Sequence, residues 1–167
     1  TDGDTANMSI GQGVLLATPL QVAQGMAGIA NGGRLPKLQL VRQVQDPNGR
    51  IISYNRAEPR QLMNMRASDV SLVQEGLMKV VNNPAGTGKR AALTYTIVCG
   101  KTGTAQWGPE DKKQYLGWFT GFFPLDNPKY AFAMVYEGRP GEKVGGGSKA
   151  APMVASFFEP IKEDVMF

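Results

Sequence analysis

Residues 95–137 read YTIVCGKTGTAQWGPEDKKQYLGWFTGFFPLDNPKYAFAMVYE and contain three apolar, strand-forming segments in close succession. The segments are Tyr95–Ala105, Tyr115–Phe123 and Tyr130–Glu137, and Asp126-Asn127-Pro128 supplies a turn between the last two. Because connections this short join antiparallel neighbours, the stretch predicts a three-stranded antiparallel meander.

The segments on both sides of this stretch have helical periodicity. A helix is predicted after Thr18-Pro19, where Thr18 can cap the free amides, and Asn31-Gly32-Gly33 is its stop signal. A second helix is predicted over about 68–82 and a terminal helix over about 148–162. Helices that cover an antiparallel sheet, one of them at the C-terminus, indicate an α+β fold. The terminal helix is expected to carry four apolar residues on one stripe: Val154, Phe157, Phe158 and Ile161.

A β-hairpin is predicted between the first two helices. Its strands are residues 38–41 and 51–54, and both flank the turn sequence Asp46-Pro47-Asn48-Gly49. No repeat or linker interrupts the chain, so residues 1–167 are expected to be one domain or one piece of a domain.

Composition excludes several classes of function. The chain has 167 residues, 18 basic and 14 acidic, and no histidine, which removes a Ser-His-Asp triad and any His-containing zinc site. We therefore expect no metal and no cofactor. The basic residues are scattered, so we expect a solvated surface and no nucleic-acid partner. No apolar stretch is long enough to cross a bilayer, so any membrane anchor is expected outside this chain. Cys99 is expected to be a small hydrophobic residue buried in the core.

The strongest chemical signal is Gly100–Gln106, which lies on the first strand of the meander. Strand alternation places Lys101 and Gly103 on one side and Thr102 and Thr104 on the other. An extended peptide could add along the strand edge, close to Gly103, with Lys101 as a fixed cation and the threonine hydroxyls as donors to a carboxylate. The alternative is a solvent-facing edge strand with a bulge at Gly103. On these residues alone both interpretations stay open.

Lys101-Thr102-Gly103, followed by Thr104-Ala105-Gln106, resembles the third active-site motif of penicillin-binding transpeptidases and serine β-lactamases. Val81–Thr87 is most similar to the cell-elongation type, penicillin-binding protein 2. Other segments, in the same order, are similar to class B penicillin-binding proteins: Ser9–Gly13, Thr18–Gln21, Ala30–Gly33, Gly86–Gly88, Trp118–Pro124, Gly146-Gly147 and Ala150–Pro152.

The resemblance implies that residues 1–167 are the C-terminal part of a transpeptidase domain. The family also needs a Ser-x-x-Lys nucleophile motif and a Ser-x-Asn motif, both upstream of the segment that opens this chain. No serine of the chain is followed three residues later by lysine. We therefore expect both motifs to lie in a part of the domain outside this chain, and we expect the chain alone to be inactive.

In the complete domain, the resemblance implies that a serine attacks the penultimate D-Ala carbonyl of a peptidoglycan stem peptide and passes the acyl group to an amine of a neighbouring strand. Lys101 would hold positive potential and assist proton transfer. Thr102 and Thr104 would bind the carboxylate, and the Thr104 amide would be an oxyanion-hole donor. Gln106 and Trp107 would border the acceptor side, although a tryptophan that only covers apolar surface is the alternative.

The resemblance also implies partners and a location. The partners would be stem peptides, β-lactam antibiotics and the cell-wall elongation machinery. The location would be the periplasmic or extracytoplasmic face of a bacterial cell envelope. Two alternatives remain: a serine β-lactamase, against which Thr18–Gln21 and Asn31-Gly32-Gly33 argue, and a non-catalytic sensor that binds β-lactams or D-Ala-D-Ala peptides.

Overall fold

The computed structural model describes residues 1–13, 15–56 and 58–166. Within these residues, helices and short strands precede a longer three-stranded sheet, and two helices follow it. No helix in the described ranges has both the length and the apolar character needed to cross a membrane. The helices are α1 (Asp2–Ser9), α2 (Pro19–Ala30), α3 (Ala67–Asn82), α4 (Ala151–Phe158) and α5 (Lys162–Val165); the strands are β1 (Arg34–Pro36), β2 (Gln43–Gln45), β3 (Ile51–Tyr54), β4 (Pro59–Leu62), β5 (Cys99–Trp107), β6 (Gln114–Phe123) and β7 (Tyr130–Glu137).

The predicted meander is confirmed. Strands β5, β6 and β7 pair antiparallel in that order, and the β5–β6 register runs without a shift from Cys99 opposite Phe122 to Trp107 opposite Gln114. The first strand begins at Cys99 and not at the predicted Tyr95. The residues before Cys99 contact helical segments: Tyr95 donates its hydroxyl to the Phe158 carbonyl, and the Val98 carbonyl accepts from the Asn82 side chain.

Both faces of this sheet are covered, because bulky β6 side chains alternate between them. Phe119 and Phe123 are fully buried on one face, where Val154 and Phe158 of the C-terminal region pack against them. Phe122 is fully buried on the other face, in a cluster with apolar residues of α2 and α3. The sheet is therefore held rigidly between helical layers, and β5 lies at its edge.

The first predicted helix is confirmed with its cap. Thr18 accepts a hydrogen bond from the Gln21 amide, and the Gln21 side chain accepts one from the Thr18 amide, which forms a capping box. The helix ends at Ala30, directly before the predicted stop signal. The second predicted helix is confirmed as α3, with bounds shifted by one residue at its start.

The predicted hairpin has the correct turn but the wrong first strand. Residues 38–41 are not in a strand, and β3 pairs with β2 at Gln43–Gln45. The Asp46 side chain accepts hydrogen bonds from the Asn48 and Arg50 amides, and the Asp46 amide donates to the Arg50 carbonyl. This closes a tight loop, so the partner of β3 must directly precede Asp46.

The predicted single terminal helix is also corrected. A π-helical turn at Gly146–Ala150 leads into α4, and a break at Glu159-Pro160 separates α4 from α5. Pro160 has no amide hydrogen, so it cannot continue the helical ladder. The stripe was wrong at Phe157, which is 57% exposed, since Val154 and Phe158 already occupy the side of α4 that faces the sheet.

Candidate active site

The candidate site lies along β5, the edge strand of the long sheet. Its register with β6 is continuous through Gly103 opposite Trp118, so the bulge that the alternative interpretation placed at Gly103 is absent. Among the described residues, no other strand pairs with β5. The far side of the strand is therefore an edge whose backbone groups can meet a ligand.

Two contacts show which backbone groups face this edge. The Gln12 side-chain amide donates to the Thr104 carbonyl at 3.1 Å, and Lys101 Nζ donates to the Thr102 carbonyl at 2.6 Å. Both carbonyls therefore point away from β6. Since the amide and carbonyl of one strand residue point to the same side, the Thr104 amide also faces the open edge.

The side chains of Thr102 and Thr104 lie on one face of β5, as the alternation predicted. The Thr104 hydroxyl accepts a hydrogen bond from the Gly146 amide at 3.4 Å. The Thr102 hydroxyl lies 3.0 Å from the Thr87 hydroxyl. Residues from the loop before β5 and from the π-helical turn after β7 therefore meet these two threonines.

Glycines allow the π-helical turn to sit directly on the strands. A Cβ at Gly146 would overlap the Trp118 carbonyl oxygen and would lie 2.5 Å from the Gly103 carbonyl oxygen. A Cβ at Gly147 would overlap the Thr87 carbonyl oxygen. In the sequence, only the family resemblance drew attention to Gly146 and Gly147. The structure shows why both positions need glycine, because a Cβ at either one would overlap a backbone carbonyl oxygen.

The Lys101 ammonium is exposed and is held at the strand edge by its bond to the Thr102 carbonyl. None of the ion pairs formed by the described residues includes Lys101. Lys149 on the π-helical turn differs, because it pairs with Glu142 at 2.7 Å. Hydrogen bonds from Lys149, the Arg139 amide and Tyr136 lower the pKa of Glu142 to about 2. Lys101 thus offers a charge that no carboxylate of the described chain neutralises.

A cleft of about 350 Å³ lies between β5 and the loop that follows α1. Four of the predicted site residues line it together: Gly103, Thr104, Gln106 and Trp107. Lys101 and Thr102 do not line this cleft; they lie further back along β5, toward its start. The predicted site therefore extends along the strand instead of converging on one cavity.

The Cys99 thiol has no catalytic part in this site. Cys99 is fully buried, as expected, and burial together with the charge of Asp126 raises the pKa of its thiol to about 12. Such a thiol is a packing group and not a nucleophile. Within the described ranges, no cluster of three or more metal-ligating side chains occurs.

We expect the Ser-x-Asn motif of the site to lie outside this chain, but the chain does contain one Ser-x-Asn sequence, Ser53-Tyr54-Asn55. Its position separates it from the site. Within the described residues, β3 pairs with β2 alone in a separate two-stranded sheet, and the Asn55 side chain donates to the Val41 carbonyl at 2.6 Å. These residues stabilise the hairpin, and we assign them no part in the site.

Sequence reasoning gave no role to Gln12 or Thr87, although both stand in segments that carried the resemblance. Gln12 contacts the Thr104 carbonyl, and Thr87 contacts the Thr102 hydroxyl. Both contacts join residues far apart in the chain, so no local pattern could have revealed them. Thr87 stood in two of the segments that carried the resemblance, residues 81–87 and 86–88, and these were the signals for it.

The structure thus has an antiparallel sheet between helical layers, with a Lys-Thr-Gly sequence on its edge strand. Residues 1–159 match the family model described as the penicillin binding protein transpeptidase domain, and the chain belongs to this family. It is similar to the peptidoglycan D,D-transpeptidase MrdA of Haemophilus influenzae, at 30% identity over 90% of this chain and 24% of that protein. It is also similar to MrdA of Acinetobacter baumannii, at 33% identity over 93% of this chain and 24% of that protein.

Solved structures agree with this assignment. The penicillin G acyl-enzyme complex of penicillin-binding protein A from Mycobacterium tuberculosis matches with a TM-score of 0.76 and 28% identity, over 93% of this chain and 34% of that one. The predicted α+β fold and the predicted resemblance to class B proteins of the penicillin-binding protein 2 type are confirmed. The chain spans about a quarter of the length of the curated relatives it matches.

Proposed function

We propose that residues 1–167 are the C-terminal part of a peptidoglycan D,D-transpeptidase domain of the elongation type. In the complete protein, a serine outside this chain would form the acyl-enzyme, and β-lactams would inhibit it. The observation that carries the proposal is the open edge of β5, which presents the Lys101 ammonium and the backbone of Thr104 on one strand. The relatives named D,D-transpeptidases and the penicillin G acyl-enzyme of a similar structure support it.

The proposed reaction has two steps. The serine hydroxyl attacks the penultimate D-Ala carbonyl, the peptide bond to the terminal D-Ala breaks, and this D-Ala leaves with a proton on its nitrogen. An amine of a neighbouring stem peptide then attacks the ester. The serine leaves as an alkoxide and regains a proton, and a new peptide bond cross-links the two strands.

The Thr104 amide is proposed as one oxyanion-hole donor. Its support is geometric: the Thr104 carbonyl points to the open edge, and the amide of the same residue points the same way. A single donor of this kind contributes about 2.7–4 kcal/mol to transition-state stabilisation. The position of the β5 backbone is therefore as important as any side chain of the site.

Lys101 is proposed to supply positive potential and to assist proton transfer. Its ammonium is tied to the Thr102 carbonyl, which keeps the charge close to the edge where a substrate would lie. Thr102 and Thr104 are proposed to donate hydrogen bonds to the substrate carboxylate, and Gly103 between them leaves room for a close approach. All four residues lie on one strand, so a peptide docked along β5 would meet them in sequence.

Gln106 and Trp107 are proposed to border the acceptor side of the cleft. Both are exposed, and both line the cleft with Gly103 and Thr104. Trp107 is 38% exposed, so part of its ring is accessible to a ligand in the cleft. The acceptor amine would therefore approach beyond the C-terminal end of the Lys-Thr-Gly motif.

We place the complete protein at the outer face of a bacterial cell membrane, anchored through a segment outside this chain and working with the cell-wall elongation machinery. The support is the similarity to MrdA proteins, which are named peptidoglycan D,D-transpeptidases. Fractionation of cells that express the complete protein tests this location. Recovery in the cytoplasmic fraction would contradict it.

The activity is tested by labelling the complete protein with a fluorescent penicillin and following release of the label. Slow release is expected for a transpeptidase, whereas fast release indicates a β-lactamase and no labelling indicates a binding module. Lys101→Ala should lower the acylation rate by at least about 100-fold, the scale of general acid–base contributions. Lys162→Ala, an exposed lysine on α5, is the matched control and should label like the wild type.

A further inference from the structure

We infer that Thr87 is a positioning residue that orients the Thr102 hydroxyl toward a substrate carboxylate. The inference rests on the proposed function and adds a residue to it. Thr87 and Thr102 place their Oγ1 atoms 3.0 Å apart, although they are 15 residues apart in the chain. Thr87 thus reaches the site from the loop that follows α3.

The loop that carries Thr87 is held against α3. The Gly86 amide donates to the Asn83 carbonyl at 2.8 Å, and the Gly88 amide donates to the Val80 carbonyl at 2.9 Å. A Cβ at Gly86 would overlap the Val80 carbonyl oxygen, and one at Gly88 would lie 2.7 Å from the Phe119 ring. Two glycines therefore let the loop pack closely, and the side chain between them is fixed in position.

Thr102 is confined on its other side by the π-helical turn. A Cβ built at Gly147 would lie 3.6 Å from the Thr102 methyl carbon, so the methyl group faces Gly147 while the hydroxyl faces Thr87. Gly147 itself lies against the Thr87 carbonyl oxygen. Loop, strand and turn thus enclose Thr102 and select one orientation of its side chain.

The proton count explains the consequence of this contact. A threonine hydroxyl has one proton to donate and two lone pairs to accept with. When Thr102 donates its proton to a carboxylate, its lone pairs are free to accept the Thr87 proton. Within the described residues, the Thr87 hydroxyl has no other hydrogen-bond partner. Thr87 then both orients the Thr102 hydroxyl and polarises its bond to the ligand.

The test uses the complete protein and compares Thr87→Val, Thr87→Ser, Thr102→Val and the Thr87→Val/Thr102→Val pair. The second-order acylation rate with benzylpenicillin is separated into binding and chemical steps. Thr87→Val should lower it about 2- to 10-fold, the range of one net hydrogen bond, with most of the loss in binding. Thr87→Ser should restore the wild-type rate, and Thr87→Val should have no further effect when Thr102 is Val. Benzylpenicillin methyl ester, which lacks the charged carboxylate, should not distinguish Thr87→Val from the wild type.

Three results would overturn the inference: a wild-type rate for Thr87→Val, an equal loss with the methyl ester, or an equal loss in the Thr102→Val background. Failure of the proposed function gives a different result, because the wild type itself would then either not be acylated or release the acyl group rapidly. Should Thr87→Val lower the melting temperature, Thr87→Ser is compared with Thr87→Ala, and equal rates for those two variants would also overturn it.

Discussion

Gly146→Ala should damage the site without changing any group that touches the substrate. The added methyl would meet three backbone atoms: the Trp118 carbonyl oxygen, the Gly103 carbonyl oxygen at 2.5 Å and the Gly103 nitrogen at 2.8 Å. Backbone atoms in a continuous sheet cannot rotate away as a flexible side chain does. The π-helical turn must therefore move.

The size of this movement follows from the distances. An ordinary contact of at least 3.4 Å with the Gly103 oxygen needs a displacement of about 0.9 Å, and the still closer Trp118 oxygen needs a larger one. Overpacking of this kind costs about 1–3 kcal/mol of stability. The bond from the Gly146 amide to the Thr104 hydroxyl, already 3.4 Å long, would be lost. Because a misplacement of about 1 Å can cost about 100-fold in rate, acylation should fall by up to that factor.

The assay combines thermal unfolding of the complete protein with fluorescent penicillin labelling. Gly76→Ala is the matched control, since a Cβ at Gly76 in α3 meets no atom within 4 Å. Removing glycine from a helix interior stabilises by about 0.5–1 kcal/mol, so this control should melt at the same or a higher temperature and label normally. If Gly146→Ala behaves like Gly76→Ala in both measurements, the close packing deduced for the turn is wrong.

Two further predictions concern hydrogen bonds of the site and its support. Thr102→Val should weaken recognition of carboxylate-bearing β-lactams by about 1.5–3 kcal/mol. Thr102→Ser should have only a small effect on recognition, because the hydroxyl is kept. Identical acylation rates for the two variants would contradict a contact between Thr102 and the carboxylate. The pKa of Glu142 is lowered to about 2, mainly by its hydrogen bond from Lys149. The ionised Glu142 therefore stabilises the folded state at pH values above its ordinary pKa of 4.5. This stabilisation is lost as the pH falls toward 2. The stability difference between wild type and Glu142→Gln, measured by urea unfolding, should therefore shrink between pH 5 and pH 2, and a constant difference would rule this out.

Local sequence signals predicted the three-stranded sheet and the helices α2 and α3 well, whereas α1 was not predicted. Phe119, Phe122 and Phe123 give β6 apolar side chains on both faces, which requires helices on both sides. Thr18 and Gln21 give the reciprocal capping bonds that start α2. These signals involve residues close together in the chain, so the sequence alone is sufficient to recognise them.

The predictions from sequence were wrong where a single side chain, or the missing amide hydrogen of a proline, sets the end of a strand or helix. The Asp46 carboxylate closes the hairpin loop and shifts its first strand to Gln43–Gln45. Pro160 divides the terminal helical region, which the apolar stripe alone does not show. For the candidate site, the face shared by Thr102 and Thr104 follows from strand alternation, whereas the contact of Thr87 with Thr102 depends on tertiary packing.

The three-sided enclosure of Thr102 has a consequence for folding. Its contacts join residues separated by 15 positions in the chain, and the neighbouring bond from Gly146 to Thr104 spans 42. Contacts between residues far apart in the chain form late in folding, because the conformational entropy of the chain is lost before these contacts add stability. Consider a nascent chain that has formed α3 and the meander but has not yet docked the π-helical turn. In such a chain, the Thr102 side chain would not be enclosed on all three sides. Under the proposed function, β-lactams would then acylate such an immature molecule more slowly than one in which the turn has docked.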